Sequence, residues 1–394
     1  MVANQTKSDQ HPWCSPAPRI VILGVGQMGL VCSAILADPD RLGVGPNPNV
    51  SGAILRGDDA QSNQSPIGFK ASAPTGGRAK PLVSIWGHSA EEAAIIAQVR
   101  RSDRLPTCRV PDDVVVTTDP ARALSGAAII ISAVPVQYSR SVWNTIRAHV
   151  PSDAGVVSVA KGIENDTLLR PVEIIADTLG EMGRSNATRA YCVLSGPTIA
   201  SELARCMPAT MVAASDDEAF RRRVQDLFTT RWMRIYTSND VLGVELAGAM
   251  KNVIAIAAGI VDGLGAGSNA KSALLARGLA EIARLGVAMG ASADTFFGIA
   301  GAGDLATSCF SPEGRNRSCG EALGRGRKLA EYLAQSRSVV EGVATTRSVM
   351  DLARKYRVDM PITSAVHSVL FEGMDPIECI GLLMTREPKA ERVG

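Results

Sequence analysis

Apolar runs rich in β-branched residues alternate with helix-like stretches through the first part of the chain, and then the pattern changes. Runs at Arg19 to Leu23, Leu82 to Trp86, Val114 to Thr117, Ala128 to Val134, Val156 to Ala160, Tyr191 to Ser195 and Thr210 to Ala214 predict strands. Strands separated by helices in this way make a mostly parallel sheet with helices on its faces. From about Thr237 the strand signal stops. Val241 to Val261, Ala270 to Met289, Arg317 to Gln335, Gly342 to Lys355 and Thr363 to Phe371 all read as helical, so the second half is expected to be an all-α domain.

Two stretches break the pattern. Leu42 to Lys80 is dominated by Gly, Pro, Ser and Asn with no sustained period, and reads as a long loop or disordered insertion. Residues 1–18 mix His11, Trp13 and three prolines with polar residues, lack the apolar stretch of a secretory signal, and read as a disordered tail. The expected organisation is therefore a tail at 1–18, an α/β domain at 19–236 carrying the insertion at about 42–80, an α-helical domain at 237–386 and a short C-terminal tail at 387–394. A chain of 394 residues exceeds one comfortable core, which agrees with two domains.

Composition narrows the class. A formal net charge of +2, from 41 basic and 39 acidic side chains, creates no field that would gather nucleic acid or an anionic membrane. The eight cysteines include no CxxC pair and read as reduced thiols of a cytoplasmic protein. The four histidines, His11, His88, His149 and His367, lie far apart and give no support to a metal site. Val241 to Val261 is long enough to suggest a membrane span, yet Glu245, Lys251 and Asn252 inside it are costly in lipid, so it is read as a core helix of a soluble protein.

The first strand runs into Gly24-Val25-Gly26-Gln27-Met28-Gly29 and then the helix-like Leu30 to Ala37. Strand, glycines and helix stand in the order a dinucleotide-binding turn requires. Gly24 permits the tight turn, Gly26 lets backbone approach a pyrophosphate, and Gly29 lets the helix pack on the strand with its N-terminal amides toward the phosphates. The first domain is thus expected to be a Rossmann domain. The second strand ends in Trp86-Gly87-His88-Ser89, with no carboxylate to hold the 2′-hydroxyl of NAD. His88 and Ser89 can accept a 2′-phosphate, which favours NADP; the competing reading is that Ser89, with Glu92 three residues on, only caps the next helix.

Candidate chemistry sits at strand ends and in the helical half. Lys251 and Asn252 interrupt the small, apolar run Ala247 to Gly259. Desolvation disfavours the charged form of a buried amine and lets it exchange a proton near neutrality; a lysine whose stem lies on the surface while its head reaches water is the alternative. Val159 to Glu164 ends a strand with Lys161, and Ser195-Gly196-Pro197-Thr198 ends another in a tight turn; either also reads as loop punctuation. Asp304 in Gly301-Ala302-Gly303-Asp304-Leu305 precedes Gly314-Arg315-Asn316-Arg317 at a helix start, where guanidinium and amides suit a phosphate, although arginines are often merely solvated.

Taken in order, GxGxxG, WGH, VAKGIE, SGPTIASE, AGAMKNVIAIAAG, GAGDL, GRNR and VVEG resemble the bacterial NAD(P)-dependent glycerol-3-phosphate dehydrogenases, from about Arg19 to about Arg386. The resemblance implies a Rossmann domain followed by a helical domain like the C-terminal domain of 6-phosphogluconate dehydrogenase. It implies a cytoplasmic enzyme, commonly a homodimer, that interconverts dihydroxyacetone phosphate and sn-glycerol 3-phosphate with NAD or NADP and no metal, at the entry to glycerophospholipid synthesis. Residue by residue, it implies that Lys251 carries the proton, that Lys161 touches both substrate and cofactor, and that Asp304 holds the lysine network. Arg315 and Asn316 match the pair around the substrate phosphate, with Asn252, Gly196, Thr198, Ser308 and Gly314 contributing to the pocket. Gly24, Gly26, Gln27, Met28, Gly29, His88, Lys161, Ala200, Arg315, Val339 and Glu341 fall on the cofactor side.

Departures from the family pattern are Gln27-Met28, where serine and an aromatic are usual, the insertion from Leu42 to Lys80, and Gly314, where serine is common. Two rivals remain. A 3-hydroxyacid dehydrogenase of the 6-phosphogluconate type shares the domain order and the Lys-Asn pair but gives no reason for GAGDL followed by GRNR. A Rossmann protein that senses nicotinamide dinucleotides without turnover gives no reason for two lysines and an aspartate in matching motifs.

Overall fold

The computed structural model describes residues 11–38, 79–184, 189–336, 338–388 and 390. The insertion expected at about 42–80 lies almost wholly outside these, as do the first ten residues. Eight strands form one sheet: β1 (Arg19–Leu23), β2 (Leu82–Trp86), β3 (Val115–Thr117), β4 (Ile129–Ser132), β5 (Gly155–Ser158), β6 (Tyr191–Ser195), β7 (Ala209–Ala214) and β8 (Met233–Ser238). Their order is β3-β2-β1-β4-β5-β6-β7-β8. Pairing from β3 to β6 is parallel throughout. Strand order reverses between β1 and β4, and such a switch point opens a crevice at the carboxyl ends of the strands.

The β1 sequence shows why the sheet is buried on both sides. Ile20 and Ile22 enter one core, with Ile85, Ile129 and Ile131, while Val21 and Leu23 enter a second, with Trp86, Ile130 and Val156. An unbroken apolar run of β-branched residues is what a strand covered on both faces needs.

β8 carries a weaker signal and is absent from the sequence reading. Only Met233 and Ile235 point inward, while Arg234 stacks over Tyr236 at 5.2 Å on the outer face. β7 pairs antiparallel to β6, and β8 runs parallel to β7, so the last two strands travel against the first six.

The expected tail is corrected from His11 onward. Trp13 is 2% exposed, its ring edge-on to Phe220 at 5.1 Å, and the Arg223 guanidinium donates to the Trp13 carbonyl at 3.0 Å and the Ser15 carbonyl at 2.5 Å. Prolines around an aromatic anchor gave this segment the look of a loose tail, yet the indole buries enough surface to tie it to the α/β core.

Beyond Ser238 the described chain is helical. Val241–Gly263 is capped by Asp240, whose carboxylate accepts from the Gly243 amide at 2.8 Å. It is long and apolar enough to cross a membrane, and it lies buried inside the protein. Helices Gly267–Ala288, Asp304–Phe310, Arg315–Gly324 and Glu341–Tyr356 pack around it. The stretch expected as one helix from Arg317 to Gln335 is two, Arg315–Gly324 and Leu329–Gln335, because Gly326 turns the chain at φ +84°.

The central helix meets Arg315–Gly324 backbone to backbone. A Cβ at Gly259 would collide with the Arg317 carbonyl oxygen, one at Gly320 with the Ile256 carbonyl oxygen, and one at Gly324 would come within 2.5 Å of the Ile260 oxygen. Only glycine permits so close an approach. Its consequence is that Lys251 and Asn252 on one helix lie near Arg315 and Asn316 at the start of the other.

Candidate active site between the sheet and the central helix

At the end of β1 the backbone forms a cradle. Gly24 takes φ +109°, with a Cβ position only 2.9 Å from the Ala133 oxygen beyond β4, and a Cβ at Gly29 would strike the Gly24 oxygen. Gly26 differs, since a Cβ there would meet nothing within 4 Å. That opening lies at the N-terminus of helix Gln27–Ala37, where amides point outward, and it fits a dinucleotide pyrophosphate. Of the residues in this turn that depart from the family pattern, Met28 packs against the core and Gln27 donates its amide to the Arg104 carbonyl at 2.8 Å.

At the end of β2, His88 is exposed with its ring centroid 6.4 Å from that of Trp86. The Ser89 hydroxyl accepts from the Glu92 amide at 3.2 Å and caps helix Ala90–Val99.

Farther along the cleft, two lysines and one carboxylate meet. Lys251 Nζ donates to Asp304 Oδ1 at 2.6 Å and to Ser308 Oγ at 2.6 Å. Lys161 Nζ donates to Asp304 Oδ2 at 2.6 Å and to the Gly196 carbonyl at 2.9 Å, which also accepts from Thr198 Oγ1. Asp304 is 1% exposed and Lys251 7%. A buried carboxylate shared by two ammonium groups leaves one positive charge in excess, facing the cleft. Burial pulls the Lys161 ammonium down to about 8, helped by the neighbouring Lys251 charge and opposed by Asp304.

Each of the three comes from a different local device. Lys161 leaves β5 on a loop whose Glu164 is gripped by the Arg140 guanidinium at 2.8 Å, with the Ile163 carbonyl accepting from Gln137 and Ser348. Asp304 follows a π-helical turn, Ile299–Gly303, in which Gly301 passes against the Phe296 backbone. Lys251 rides on the central helix, and Gly248, one turn before it, lets that helix lie against Ser195 and the stem of Lys161.

Asn252 and Asn316 link the two glycine-locked helices. Asn316 Nδ2 donates to Asn252 Oδ1 at 2.9 Å, while Asn316 Oδ1 accepts from the Gly342 amide at 2.9 Å. Arg315 is exposed and, among the described residues, its side chain makes no hydrogen bond or ion pair. Burial raises the carboxyl of Glu341, against the attraction of Arg315, Lys251 and Lys161 nearby. Val339 and Ala200 are half-buried at the adjoining loop and helix.

The structure therefore brings together Lys161, Gly196, Thr198, Lys251, Asn252, Asp304, Ser308 and Asn316, with Arg315 and Glu341 beside them, and Gly314 caps the helix Arg315–Gly324. Gly24, Gly26, Gly29, Gln27, Met28 and His88 lie apart from these, at the carboxyl ends of β1 and β2. Sequence reasoning missed the scaffold of these positions. Glu245, on the central helix, accepts from Arg170 at 2.5 Å and from the Val172 amide at 2.9 Å, which ties that helix to the sheet domain. A carboxylate within an apolar run is the signal from which it was legible. It missed as well the bond from Ser201 to the Glu313 carboxylate, which joins the first turn of helix Ala200–Ala204 to the loop before Arg315.

Residues 70–221 match the NAD-dependent glycerol-3-phosphate dehydrogenase N-terminus, and residues 240–381 match the C-terminus of the same family. The chain is similar to glycerol-3-phosphate dehydrogenase [NAD(P)+] 2 of Lactobacillus delbrueckii subsp. bulgaricus, 43% identical over 78% of this chain and 91% of the relative. It is also similar to glycerol-3-phosphate dehydrogenase [NAD(P)+] of Geobacillus kaustophilus, at 45% identity over 78% of this chain and 89% of that one. Among solved structures, glycerol-3-phosphate dehydrogenase from Coxiella burnetii superposes with a TM-score of 0.79 at 28% identity, covering 94% of this chain and all of that chain.

Proposed function

The chain belongs to the NAD-dependent glycerol-3-phosphate dehydrogenase family, and from that premise we propose how its residues carry out the reaction. It is an NAD(P)-dependent oxidoreductase that interconverts dihydroxyacetone phosphate and sn-glycerol 3-phosphate. The observation that carries the assignment of roles is the bridge Lys161–Asp304–Lys251, in which one buried carboxylate fixes two ammonium groups on the same patch of the cleft.

A nicotinamide dinucleotide held along the glycine turn would supply the hydride for the ketone carbon. Lys251 gives a proton to the carbonyl oxygen as charge develops there, and in the reverse direction takes it from the hydroxyl. Lys161 remains charged and polarises the same oxygen, since a preorganised cation in a water-poor cleft stabilises an alkoxide-like transition state without reorganisation. Asp304 keeps both amines within reach and offsets their repulsion. Asn252, Gly196, Thr198, Ser308 and Gly314 shape the pocket.

Arg315 and Asn316 hold the substrate phosphate at the start of their helix, a fork and amides that match an anion. Arg315→Ala is expected to raise KM for dihydroxyacetone phosphate at least about tenfold while hardly changing the use of unphosphorylated dihydroxyacetone. Equal losses on both ketones would remove the phosphate-reading role.

Gly24, Gly26, Gly29 and the amides of Gln27 and Met28 take the pyrophosphate, with His88, Ala200, Val339 and Glu341 along the rest of the dinucleotide. The absence of a carboxylate in Gly87-His88-Ser89 supports a preference for NADP. We place the reaction in the cytoplasm, in a homodimer, feeding glycerophospholipid synthesis. Parallel titrations of NADH and NADPH with dihydroxyacetone phosphate, read by absorbance, test reaction and preference together. No oxidation of either cofactor would sink the assignment, and faster use of NADH would sink the preference alone.

A further inference from the structure

The 2′ position of a bound dinucleotide lies at the end of the second strand of a Rossmann domain. Here that place is lined by Gly87, whose Cβ position is 3.1 Å from Val25 of the glycine turn, by His88, and by Ser89. The Ser89 hydroxyl already accepts from the Glu92 amide, and a single imidazole offers no planar fork for a phosphate dianion.

A guanidinium reaches this crevice from elsewhere in the chain. Arg104 lies in the connection between helix Ala90–Val99 and β3. Its carbonyl accepts from Gln27 Nε2 at 2.8 Å, which pins it to the glycine turn, and its amide donates to Ser102 Oγ at 3.2 Å. The guanidinium crosses to the first turn of helix Ala90–Val99, with Nε on Glu92 Oε1 at 2.6 Å and Nη2 on Glu92 Oε2 at 3.4 Å. The Arg104 side chain remains 48% exposed and that of Glu92 25%. One residue thus touches both walls of the crevice and keeps its charge open to solvent.

We propose that Arg104 is the residue that selects the cofactor: its guanidinium takes the 2′-phosphate of NADP, and Glu92, which holds it, takes the ribose 2′-hydroxyl when NAD is bound. The inference rests on the reading of the chain as an NAD(P) enzyme and names a side chain outside the WGH motif. A planar fork satisfies phosphate and carboxylate by the same geometry, so the exchange costs Arg104 few hydrogen bonds. Glu92 repels the phosphate and favours the hydroxyl, which makes the pair a two-way reader.

Calorimetry on the full chain with 2′,5′-ADP and 5′-AMP tests this without turnover, because the two probes differ only in the 2′-phosphate. Arg104→Met is expected to weaken 2′,5′-ADP about tenfold or more and leave 5′-AMP within about twofold, with the NADPH/NADH ratio of kcat/KM falling in parallel. Arg104→Lys, which keeps the charge and loses the fork, should fall between. Glu92→Gln should strengthen 2′,5′-ADP and raise KM for NADH. Unchanged 2′,5′-ADP binding in both arginine variants, or equal losses on both probes, would overturn the proposal. A wild-type chain that binds 2′,5′-ADP through Arg104 but turns over no ketone would instead sink the assigned reaction and leave the arginine in place.

Discussion

Lys161, brought down to about 8 by burial, ties the pH response to the group that polarises the ketone rather than to the proton donor alone. As pH rises through that value its charge is lost, so kcat/KM for reduction is expected to fall on the alkaline side with an apparent midpoint near 8. Stability moves the other way. Between about 8 and the ordinary lysine value of 10.5 the unfolded chain holds a proton that the folded chain has released, so folding gains with pH across that window. A pH–rate profile set beside thermal melts at pH 7.5 and 9.5 checks both signs, and a flat profile would detach Lys161 from the chemistry. Lys251→Ala is expected to lower turnover by roughly two to four orders of magnitude while leaving NADPH binding nearly intact. Near-normal turnover would end its role as proton carrier.

At the scale of elements, the grip on the substrate depends on how closely two helices meet. Gly320→Ala places a methyl against the Ile256 carbonyl, and the helices must part. Overpacking of this kind costs about 1–3 kcal/mol, and the separation should stretch the bond from Asn316 to Asn252 and raise KM for dihydroxyacetone phosphate more than KM for NADPH. Denaturant melts and steady-state kinetics on one preparation test it; lost stability with unchanged KM would mean the interlock does not set the site. This level is also where the sequence was least legible. Strands β1, β2 and β4 announced themselves because both faces are buried. β8 did not, because an edge strand with one wet face is half polar. Lys251, Lys161 and Asp304 stood out as charges at strand ends or in apolar surroundings. Arg104 and Glu313 did not, because an arginine or glutamate in a loop is ordinary until the fold shows what stands opposite.

At the scale of the whole molecule, every described residue that the fold brings to the cleft lies outside the segment from Gly43 to Ala79. Deleting that segment is expected to leave a folded enzyme with measurable dihydroxyacetone phosphate reduction, checked by circular dichroism and a cofactor-oxidation assay. Insoluble or inactive product would show that the segment supports the sheet. The first eighteen residues call for the opposite expectation in part, since Trp13 is packed on Phe220.

The reversed direction of β7 and β8 has a geometric effect on catalysis. Because β8 runs against β6, the chain leaves the sheet at the edge remote from the cleft, and the following helix must climb back past Val172 and Ser195 before its lysine arrives. Ten residues of helix rise ~15 Å, which matches the ~16 Å span of a five-residue strand. The climb also fixes a rotational phase. One residue added or removed between Glu245, which Arg170 and Val172 hold, and Lys251 would swing the lysine about 100° around the axis and move it only ~1.5 Å along it, so the ammonium nearly keeps its height and loses its aim.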